Sequence, residues 1–300
     1  MSHLQRRTSR DWFLALRPWS FPASTMPVLL SLGYYAQAGR TIDIPNALIA
    51  LVSVVLMHAA GNLWSDVFDF KTGVDAKDTE GVRVLAHGRF TIGEYLALAA
   101  FLGALGVAGA VWLAFRTDFD LLWANAAGVA AAILYPPLKY RAWGDAVIFF
   151  AYTLTPMFAM SRIVTGEWSA EALPALLPTG ILTVAILHAN NLRDIPTDRR
   201  AGIRTLASVL GEAKSVALLK FEYVVPFLVV LGAMGTGHLP IYAFLPFLAA
   251  GALMPLWRDV SSFAGRGVAA IARLDEGTAK AQLVFSVLMT AGLFLAAWLS

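Results

Sequence analysis

Residues 95–115, YLALAAFLGALGVAGAVWLAF, decide the fold class, because they form a long apolar run without a charged side chain. A bilayer core needs about 20 such residues in a helix. Similar runs recur along the 300-residue chain, which is 58% hydrophobic and only 14% charged, against about 25% charged in an average soluble domain. A soluble globular enzyme and a disordered chain are therefore excluded. The continuous runs also differ from the alternating pattern of an outer-membrane barrel.

We therefore predict an all-α polytopic membrane protein, a bundle of nine transmembrane helices in a single domain over residues 1–300. Small residues within 101–110 would let neighbouring helices approach closely. Ala36-Gln37-Ala38 resembles a signal-peptide cleavage site, but Pro22 and Pro27 interrupt the first run and favour a retained, broken helix. The predicted spans are 20–38, 46–62, 95–115, 121–135, 145–163, 173–191, 216–233, 239–257 and 281–299.

Positive charges orient the predicted bundle. Of the 23 Lys and Arg residues, 19 fall in five segments that would share one side. The positive-inside rule places that side in the cytoplasm, with the N-terminus inside and the C-terminus outside. We expect a bacterial-type inner (plasma) membrane, with the lipid bilayer as partner, no nucleic acid and no obligate protein partner. The five segments are the N-terminal segment and residues 63–93, 136–144, 192–215 and 258–280.

Two polar clusters interrupt this apolar pattern, and the first follows the second span. Asn62, Asp66 and Asp69 are spaced i, i+4 and i+7, which places them on one helical face. Asp75 follows after Gly73, where the chain can turn back, and further carboxylates stand at 78 and 80. Concentrated negative charge requires cations. Oxygen ligands in a chain with no cysteine suit a hard ion, Mg²⁺ or alternatively Mn²⁺.

The second cluster ends the sixth span. Asp194 and Asp198 are spaced i and i+4, although Pro196 between them could distort the turn. Asn190, Asn191 and Arg193 come just before them. In the predicted topology both clusters lie at the cytoplasmic surface and can meet.

Carboxylates, Mg²⁺ and basic side chains together indicate a site for a di- or triphosphate. If the other half of that substrate is an allylic chain, departure of diphosphate leaves a carbocation that aromatic faces can shelter. The candidates are Trp64, Phe68, Tyr135 and Tyr140. His58 and His188 lie near the clusters, and we expect them to form hydrogen bonds rather than to bind a metal.

A family resemblance rests on these same residues. The first motif reads Asn62-x3-Asp66-x2-Asp69-x5-Asp75, and the second reads Asn190-Asn-Leu-Arg-Asp-Ile-x-x-Asp198 followed by Gly202-x-Arg-Thr-Leu206. Tyr135-x3-Lys139, Arg17-Pro18 and Leu274-Asp275-Glu276 also fit. The chain resembles the UbiA superfamily of intramembrane prenyltransferases, and within it the 1,4-dihydroxy-2-naphthoate polyprenyltransferases of menaquinone synthesis.

The resemblance implies roles for individual residues. Asn62, Asp66, Asp69, Asp194 and Asp198 would bind Mg²⁺ and, through it, the diphosphate. Lys139 and Arg193 would contact the diphosphate directly, and Tyr135, Asn191 and Asp75 would complete the substrate site. The implied reaction transfers a polyprenyl chain from polyprenyl diphosphate to dihydroxynaphthoate, with loss of CO2, and gives a demethylmenaquinone.

Two positions depart from the naphthoate pattern and leave the acceptor open. Ile203 stands where many of these enzymes have Lys, and Ser65 stands where Asn is common. Alternative acceptors are 4-hydroxybenzoate, homogentisate, a chlorophyllide and a glyceryl phosphate. The CDP-alcohol phosphotransferase signature is absent. A secondary transporter, which keeps polar residues near the membrane midplane on broken helices, is the alternative that is not an enzyme.

Overall fold

The computed structural model describes residues 8–72, 84–85 and 87–300, and within them the protein is helical without a strand. The predicted all-α class is therefore confirmed. The helices are α1 (Ser9–Leu16), α2 (Pro22–Gln37), α3 (Ile44–Lys71), α4 (Ile92–Arg116), α5 (Leu121–Lys139), α6 (Gly144–Phe149), α7 (Thr155–Thr165), α8 (Leu173–Arg200), α9 (Leu206–Leu210), α10 (Glu212–Gly235), α11 (Ala250–Arg266) and α12 (Leu274–Leu299).

Short irregular helices join some of these elements into longer ones. A π-helical turn, Phe150–Leu154, connects α6 to α7 without a break. A 3₁₀ segment, Ile241–Ala249, leads directly into α11, and another, Gly267–Ile271, follows it. Each composite helix is long enough to cross a membrane.

Eight of the nine predicted spans correspond to helices that are long and apolar enough to cross a bilayer, counted over the described part of the chain. The exception is the first span. Helix α2 has 16 residues and is about 24 Å long, shorter than the roughly 30 Å hydrocarbon core. Pro22 stands at its N-terminus, and Pro27 lies inside it.

Several predicted spans end too early, since α3, α5 and α8 continue past residues 62, 135 and 191 to Lys71, Lys139 and Arg200. Residues 63–71, which lie beyond the predicted end of the second span, continue helix α3 and carry the first pair of aspartates. Helix α5 likewise continues past the predicted end of the fourth span at residue 135, through Pro136 and Pro137. Pro137 has no N–H for the Ile133 carbonyl, and the Trp64 indole N–H donates to that oxygen at 3.1 Å instead.

The loops after α5 and α8 are bound to each other. Arg141 and Arg204 form an isolated backbone bridge, and the Arg204 N–H donates to the Tyr140 carbonyl at 3.3 Å. Arg193 of α8 also pairs with Asp275 at the start of α12. The hydroxyl of Thr72, which follows α3, lies 3.3 Å from that of Tyr140. Together these contacts gather the ends of α3, α5 and α8 and the start of α12 at one end of the bundle, which we call the motif end.

Small residues set the closest approaches between helices. A Cβ atom added at Gly109 of α4 would lie 2.2 Å from the Ser53 hydroxyl of α3, and one at Gly106 would lie 2.8 Å from Met57. This agrees with the predicted close packing of residues 101–110. The tightest backbone approach is at Gly292 of α12, where an added Cβ would lie 2.2 Å from the Tyr242 carbonyl oxygen.

We predict that Gly292→Ala lowers the thermal stability of the detergent-solubilised protein. The added methyl group meets backbone, which cannot rotate away, and overpacking of this kind costs roughly 1–3 kcal/mol. Gly232→Ala is the matched control, since a Cβ at that helical glycine has no neighbour within 4 Å among the described residues. Melting followed by size-exclusion chromatography checks the prediction, and equal melting temperatures for the two variants would contradict it.

Candidate active site

The first pair of aspartates lies in the last turns of α3. Asp66 and Asp69 are each only 4% exposed, so the helix presents both carboxylates to the interior of the motif end. Asn62 lies one turn earlier, and its side-chain amide donates to the Leu16 carbonyl at 3.0 Å and to the Ser20 hydroxyl at 3.1 Å. The predicted helical face therefore forms. Asn62 anchors the chain that precedes α2, because its amide donors are bonded to that chain.

Arg17 provides the counter-charge for Asp66. Its guanidinium donates to the Asp66 carboxylate in a partly buried ion pair. The Arg17 backbone is left-handed, with φ of 52°, a rare conformation for a residue with a side chain. The left-handed turn ends α1 and redirects the chain toward α2. The sequence analysis noted Arg17 only as part of a motif, so this pairing is a finding of the structure.

Helix α1 is fixed against the segment before α4. Asp11, 4% exposed, accepts a hydrogen bond from Arg89 at 2.7 Å, and the Trp12 and Phe90 rings meet edge to face at 4.5 Å. The Thr8 backbone N–H, with Arg89, lowers the pKa of the Asp11 carboxyl, although desolvation opposes the shift. The carboxylate therefore stays ionised and holds α1 over the motif end.

The second pair of aspartates lies at the end of α8, which continues through Pro196 to Arg200. The predicted shared face of Asp194 and Asp198 is thus preserved. Asn190 donates to Asp194 at 3.2 Å, and Thr205 donates to Asp198 at 3.2 Å. Asp198 is 8% exposed, whereas the Asp194 side chain is 28% exposed.

Arg193 is surrounded by oxygen atoms. It donates to Asp194 at 2.9 Å and to Asn190 at 2.6 Å, and its other terminal nitrogen lies 2.9 Å from Asp275. The guanidinium thus neutralises Asp194 and links α8 to α12. Asn191, predicted to bind substrate, is buried at 2% exposure, and it is Asn190 that contacts the aspartate.

Tyr140 connects the two motifs. Its hydroxyl donates to Asp69 of the first motif, and its backbone carbonyl accepts from Arg204, which follows the second motif. The Phe68 ring packs against it at 5.6 Å. The sequence analysis considered Tyr140 only as an aromatic face near a cation. Its hydroxyl and its backbone together hold the ends of α3 and α8 at a fixed separation.

The two aspartate pairs lie within electrostatic range of each other. Asp198 is acted on by the charges of Lys139, Asp194 and Asp69. Tyr135, half-buried on α5, is acted on by Lys139, Asp69 and Arg17. The structure therefore brings together Asp66, Asp69, Asp194 and Asp198 with Lys139, Arg193 and Tyr135. Asp75, the remaining residue of the predicted site, lies outside the described residues.

The oxygen atoms are distributed between two helices. Over the part of the chain that the structure describes, no three His, Asp or Glu side chains are placed to hold one metal ion by themselves. Each of α3 and α8 contributes two aspartates to the motif end. A cation bound between the two aspartate pairs can take its remaining oxygen ligands from a diphosphate group.

Aromatic side chains follow the carboxylates toward the membrane interior. The imidazole of His58 lies between the hydroxyls of Ser20, at 3.2 Å, and Ser24, at 3.0 Å. Its ring centroid is 5.0 Å from that of Tyr152 and 5.6 Å from that of Phe21. The predicted hydrogen-bonding role of His58 is confirmed.

A separate polar cluster is buried between α6, α8 and α10. His188, fully buried, lies 3.3 Å from Glu222, and both interact electrostatically with Asp145. His188 Nε2, Glu222 Oε2 and both Asp145 carboxyl oxygens are buried, without a hydrogen-bond partner among the described residues. His188 thus contacts a carboxylate, as a hydrogen-bonding residue would. Neither Asp145 nor Glu222 belongs to a motif singled out in the sequence.

Comparison with known proteins places this arrangement in a family. The model of the UbiA prenyltransferase family matches residues 24–274. A UbiA prenyltransferase domain-containing protein 1 from Danio rerio is 33% identical over 292 residues, which cover 95% of this chain and 84% of the relative. The protein of the same name from Homo sapiens is 32% identical and covers 97% and 85%.

Solved structures share the fold. An apo UbiA homolog from Aeropyrum pernix K1 superposes with a TM-score of 0.68 at 17% identity, covering 96% of this chain and 99% of the other. A UbiA homolog from Archaeoglobus fulgidus bound to GPP and Mg²⁺ has a TM-score of 0.64 at 14% identity, covering 93% and 99%. Because the family model and the relatives span most of the sequence, this chain belongs to the UbiA prenyltransferase family.

Proposed function

We propose that this protein transfers a polyprenyl chain from polyprenyl diphosphate to 1,4-dihydroxy-2-naphthoate. One observation supports the transfer above all: two pairs of aspartates from α3 and α8 meet at one end of an apolar bundle, beside Lys139. Carboxylates at that end suit a Mg²⁺–diphosphate, and the apolar bundle suits a long isoprenoid chain. Family membership supports the same chemistry.

The donor set fits Mg²⁺. This ion is usually held by one or two carboxylates together with substrate phosphates and water, rather than by a cage made entirely of protein. Asp66 and Asp69 offer one pair, and Asp194 and Asp198 offer the other. Bound Mg²⁺ would stabilise the negative charge that develops on the departing diphosphate. The A. fulgidus homolog bound to GPP and Mg²⁺ supports this assignment, and Mn²⁺ is the alternative.

The residues of this chain then have separate tasks. Lys139 and Arg193 would bind diphosphate oxygens, which for Arg193 requires exchange of a carboxylate partner for phosphate. Tyr135 would face the allylic end of the donor, near Lys139. Asp75 is proposed as a more distant member of the first motif, and Asn191 would support the wall of the substrate site from the interior of α8.

The proposed reaction forms one bond and breaks two. The C1–O bond of the prenyl diphosphate breaks, and C1 bonds to the ring carbon that carries the carboxylate. That carboxylate then leaves as CO2, and its bonding electrons restore the aromatic ring. The products are diphosphate, CO2 and the quinol form of demethylmenaquinone, since no oxidant takes part.

The naphthoate acceptor is supported by the second motif, Asn190-Asn-Leu-Arg-Asp194, together with Asp66-x2-Asp69. Other acceptors remain alternatives within the same chemistry. A digeranylgeranylglyceryl phosphate synthase also superposes on this fold, with a TM-score of 0.63 at 15% identity, covering 95% of this chain and 99% of the other, so the fold does not distinguish a glyceryl phosphate from an aromatic acceptor. The acceptor therefore has to be identified by its product.

The acceptor test uses the purified protein with Mg²⁺ and geranylgeranyl diphosphate. We expect prenylation of 1,4-dihydroxy-2-naphthoate with stoichiometric release of its carboxyl carbon as CO2. We expect 4-hydroxybenzoate to be used about a hundredfold less efficiently in kcat/KM, or about 2.7 kcal/mol. Mass spectrometry and a carboxyl-labelled substrate provide the readout. Efficient prenylation of 4-hydroxybenzoate, without CO2 from the naphthoate, would refute the acceptor but not the transfer.

We also propose that the motif end faces the cytoplasm, with the N-terminus inside and the C-terminus outside, since positive charge is concentrated there. The bacterial-type plasma membrane stays a prediction from the sequence, and the two relatives above 30% identity that are named above are animal proteins. In this cysteine-free chain, Ala201→Cys should react with an impermeant thiol reagent only after cells are permeabilised. His238→Cys, at the opposite end of the bundle, should react in intact cells. Labelling of Ala201→Cys but not of His238→Cys in intact cells would show that the protein has the opposite orientation.

Tyr140 is proposed as a positioning residue for the metal site. Tyr140→Phe removes the hydroxyl that fixes Asp69, and hydrogen bonds to charged groups contribute about 1.5–3 kcal/mol. We expect the Mg²⁺ concentration for half-maximal activity to rise about tenfold, with activity restored by excess Mg²⁺. Asp69→Asn should not be rescued in this way, and Tyr242→Phe, at the opposite end, should behave as wild type. An unchanged Mg²⁺ requirement in Tyr140→Phe would exclude the positioning role.

A further inference from the structure

The π-helical turn Phe150–Leu154 decides which side chains face the site. Such turns add a residue to a helix and often occur at functional sites. Here the turn directs Thr153 onto α8, where a Cβ at Gly180 would lie 2.1 Å from the Thr153 hydroxyl. The preceding residue, Tyr152, consequently faces α3 and contacts His58. The extra residue thus sends a tyrosine into the space between α3 and α5.

His58 contributes a ring surface with a fixed orientation. Both of its nitrogens lie within hydrogen-bond distance of serine hydroxyls, Ser20 and Ser24. The imidazole therefore cannot turn without losing two hydrogen bonds, and its nitrogens are not available to a ligand. What His58 offers to the space beside Tyr152 is an aromatic wall, which Phe21 extends.

A second tyrosine, Tyr135 of α5, lies near Tyr152. Tyr135 and Tyr152 interact electrostatically, and both side chains are half-buried. No hydrogen bond from either hydroxyl to another described residue is found. A tyrosine hydroxyl in apolar surroundings usually finds a hydrogen-bond partner. The rings beside Tyr152 therefore form an aromatic surface. The hydroxyls of Tyr135 and Tyr152 have no hydrogen-bond partner among the described residues and can bind a ligand.

This group lies directly beside the proposed diphosphate site. Ser20 contacts both Asn62 of the first motif and His58, so one hydroxyl links the two sites. His58 precedes Asn62 by four residues, about 6 Å along α3. Tyr135 is within electrostatic range of Asp69, Arg17 and Lys139. A ring held between these side chains would lie next to the allylic carbon of a prenyl diphosphate bound at the carboxylates.

We propose that Tyr152, supported by His58, binds the aromatic ring of the acceptor and determines acceptor specificity. This proposal rests on the proposed prenyl transfer to an aromatic ring. The chemistry favours the ring over the prenyl tail, because a tail needs only apolar walls. A planar ring with hydroxyl substituents matches both the aromatic faces and the tyrosine hydroxyls. A site that binds a substrate hydroxyl discriminates strongly against rings that cannot use it.

The test compares three variants of the π-helical turn in the full-length protein. Tyr152→Phe keeps the ring but removes the hydroxyl, and we expect the KM for the acceptor to rise about tenfold. Tyr152→Leu removes the ring as well and should raise this KM further. Phe150→Leu is the matched control, since Phe150 lies in the same turn but is 41% exposed on the outer surface. We expect it to leave both KM values within twofold of wild type.

The KM for geranylgeranyl diphosphate separates ring binding from a structural role. It should stay within twofold of wild type in both Tyr152 variants, and the melting temperature should stay unchanged in Tyr152→Phe. An unchanged acceptor KM in both variants would overturn the proposal. A parallel rise in the KM for geranylgeranyl diphosphate would overturn it too, because Tyr152 would then serve the donor.

Equilibrium binding keeps this test independent of the proposed reaction. Calorimetry with Mg²⁺ and geranylgeranyl thiodiphosphate measures the binding of 1,4-dihydroxy-2-naphthoate and of 4-hydroxybenzoate without turnover. Weaker binding of either ring to Tyr152→Phe than to wild type would support the ring site even if the naphthoate is not the substrate. Equal binding of both rings to wild type and variant would refute the ring site, whichever acceptor the enzyme prenylates.

Discussion

Repulsion between like charges is the constraint on which this structure depends. Four aspartates from helices α3 and α8 must lie close together at the edge of an apolar bundle, where water screens them poorly. Each pair therefore has its own compensation within the protein. Arg17 pairs with Asp66, and Tyr140 donates to Asp69. Arg193 pairs with Asp194 and connects it to Asp275 of α12. Asp66, Asp69 and Asp194 thus have partners within the protein before any ligand arrives, and Asp198 accepts a hydrogen bond from Thr205. The same contacts join the ends of α1 and α5 to α3, and α8 to α12.

Departures from regular helix geometry shape the site around these charges. Helix α5 continues through two prolines because the Trp64 indole binds the Ile133 carbonyl that Pro137 leaves without a partner. This interaction between α3 and α5 brings Tyr135, Lys139 and Tyr140 to the ends of the aspartate-bearing helices. The π-helical turn after α6 similarly directs the side chain of Tyr152 toward α3. In a bundle of long apolar helices, local irregularity is what selects the side chains that face the centre.

Much of this arrangement follows from sequence periodicity, and some of it does not. The apolar runs predict the spans, and the i, i+4 and i+7 spacing of Asn62, Asp66 and Asp69 predicts their shared face, because both depend on local helix geometry. The ends of the second and fourth spans, at residues 62 and 135, were placed too early, because the apolar run ends there although the helix continues. The hydrogen bond from Tyr140 to Asp69 joins residues 71 positions apart. Such a pairing depends on tertiary packing, which a single sequence does not specify.

The buried cluster of Asp145, His188 and Glu222 has a consequence for biogenesis. A chain enters the membrane from its N-terminus, so α6 and α8 are synthesised before α10, and Glu222 follows His188 by 34 residues. An ionisable side chain without a partner in the bilayer is costly. Asp145 and His188 therefore cannot reach their final packing until α10 has left the ribosome and inserted. The N-terminal helices therefore do not complete their packing before α10 is inserted, and α8 reaches its final buried position only then.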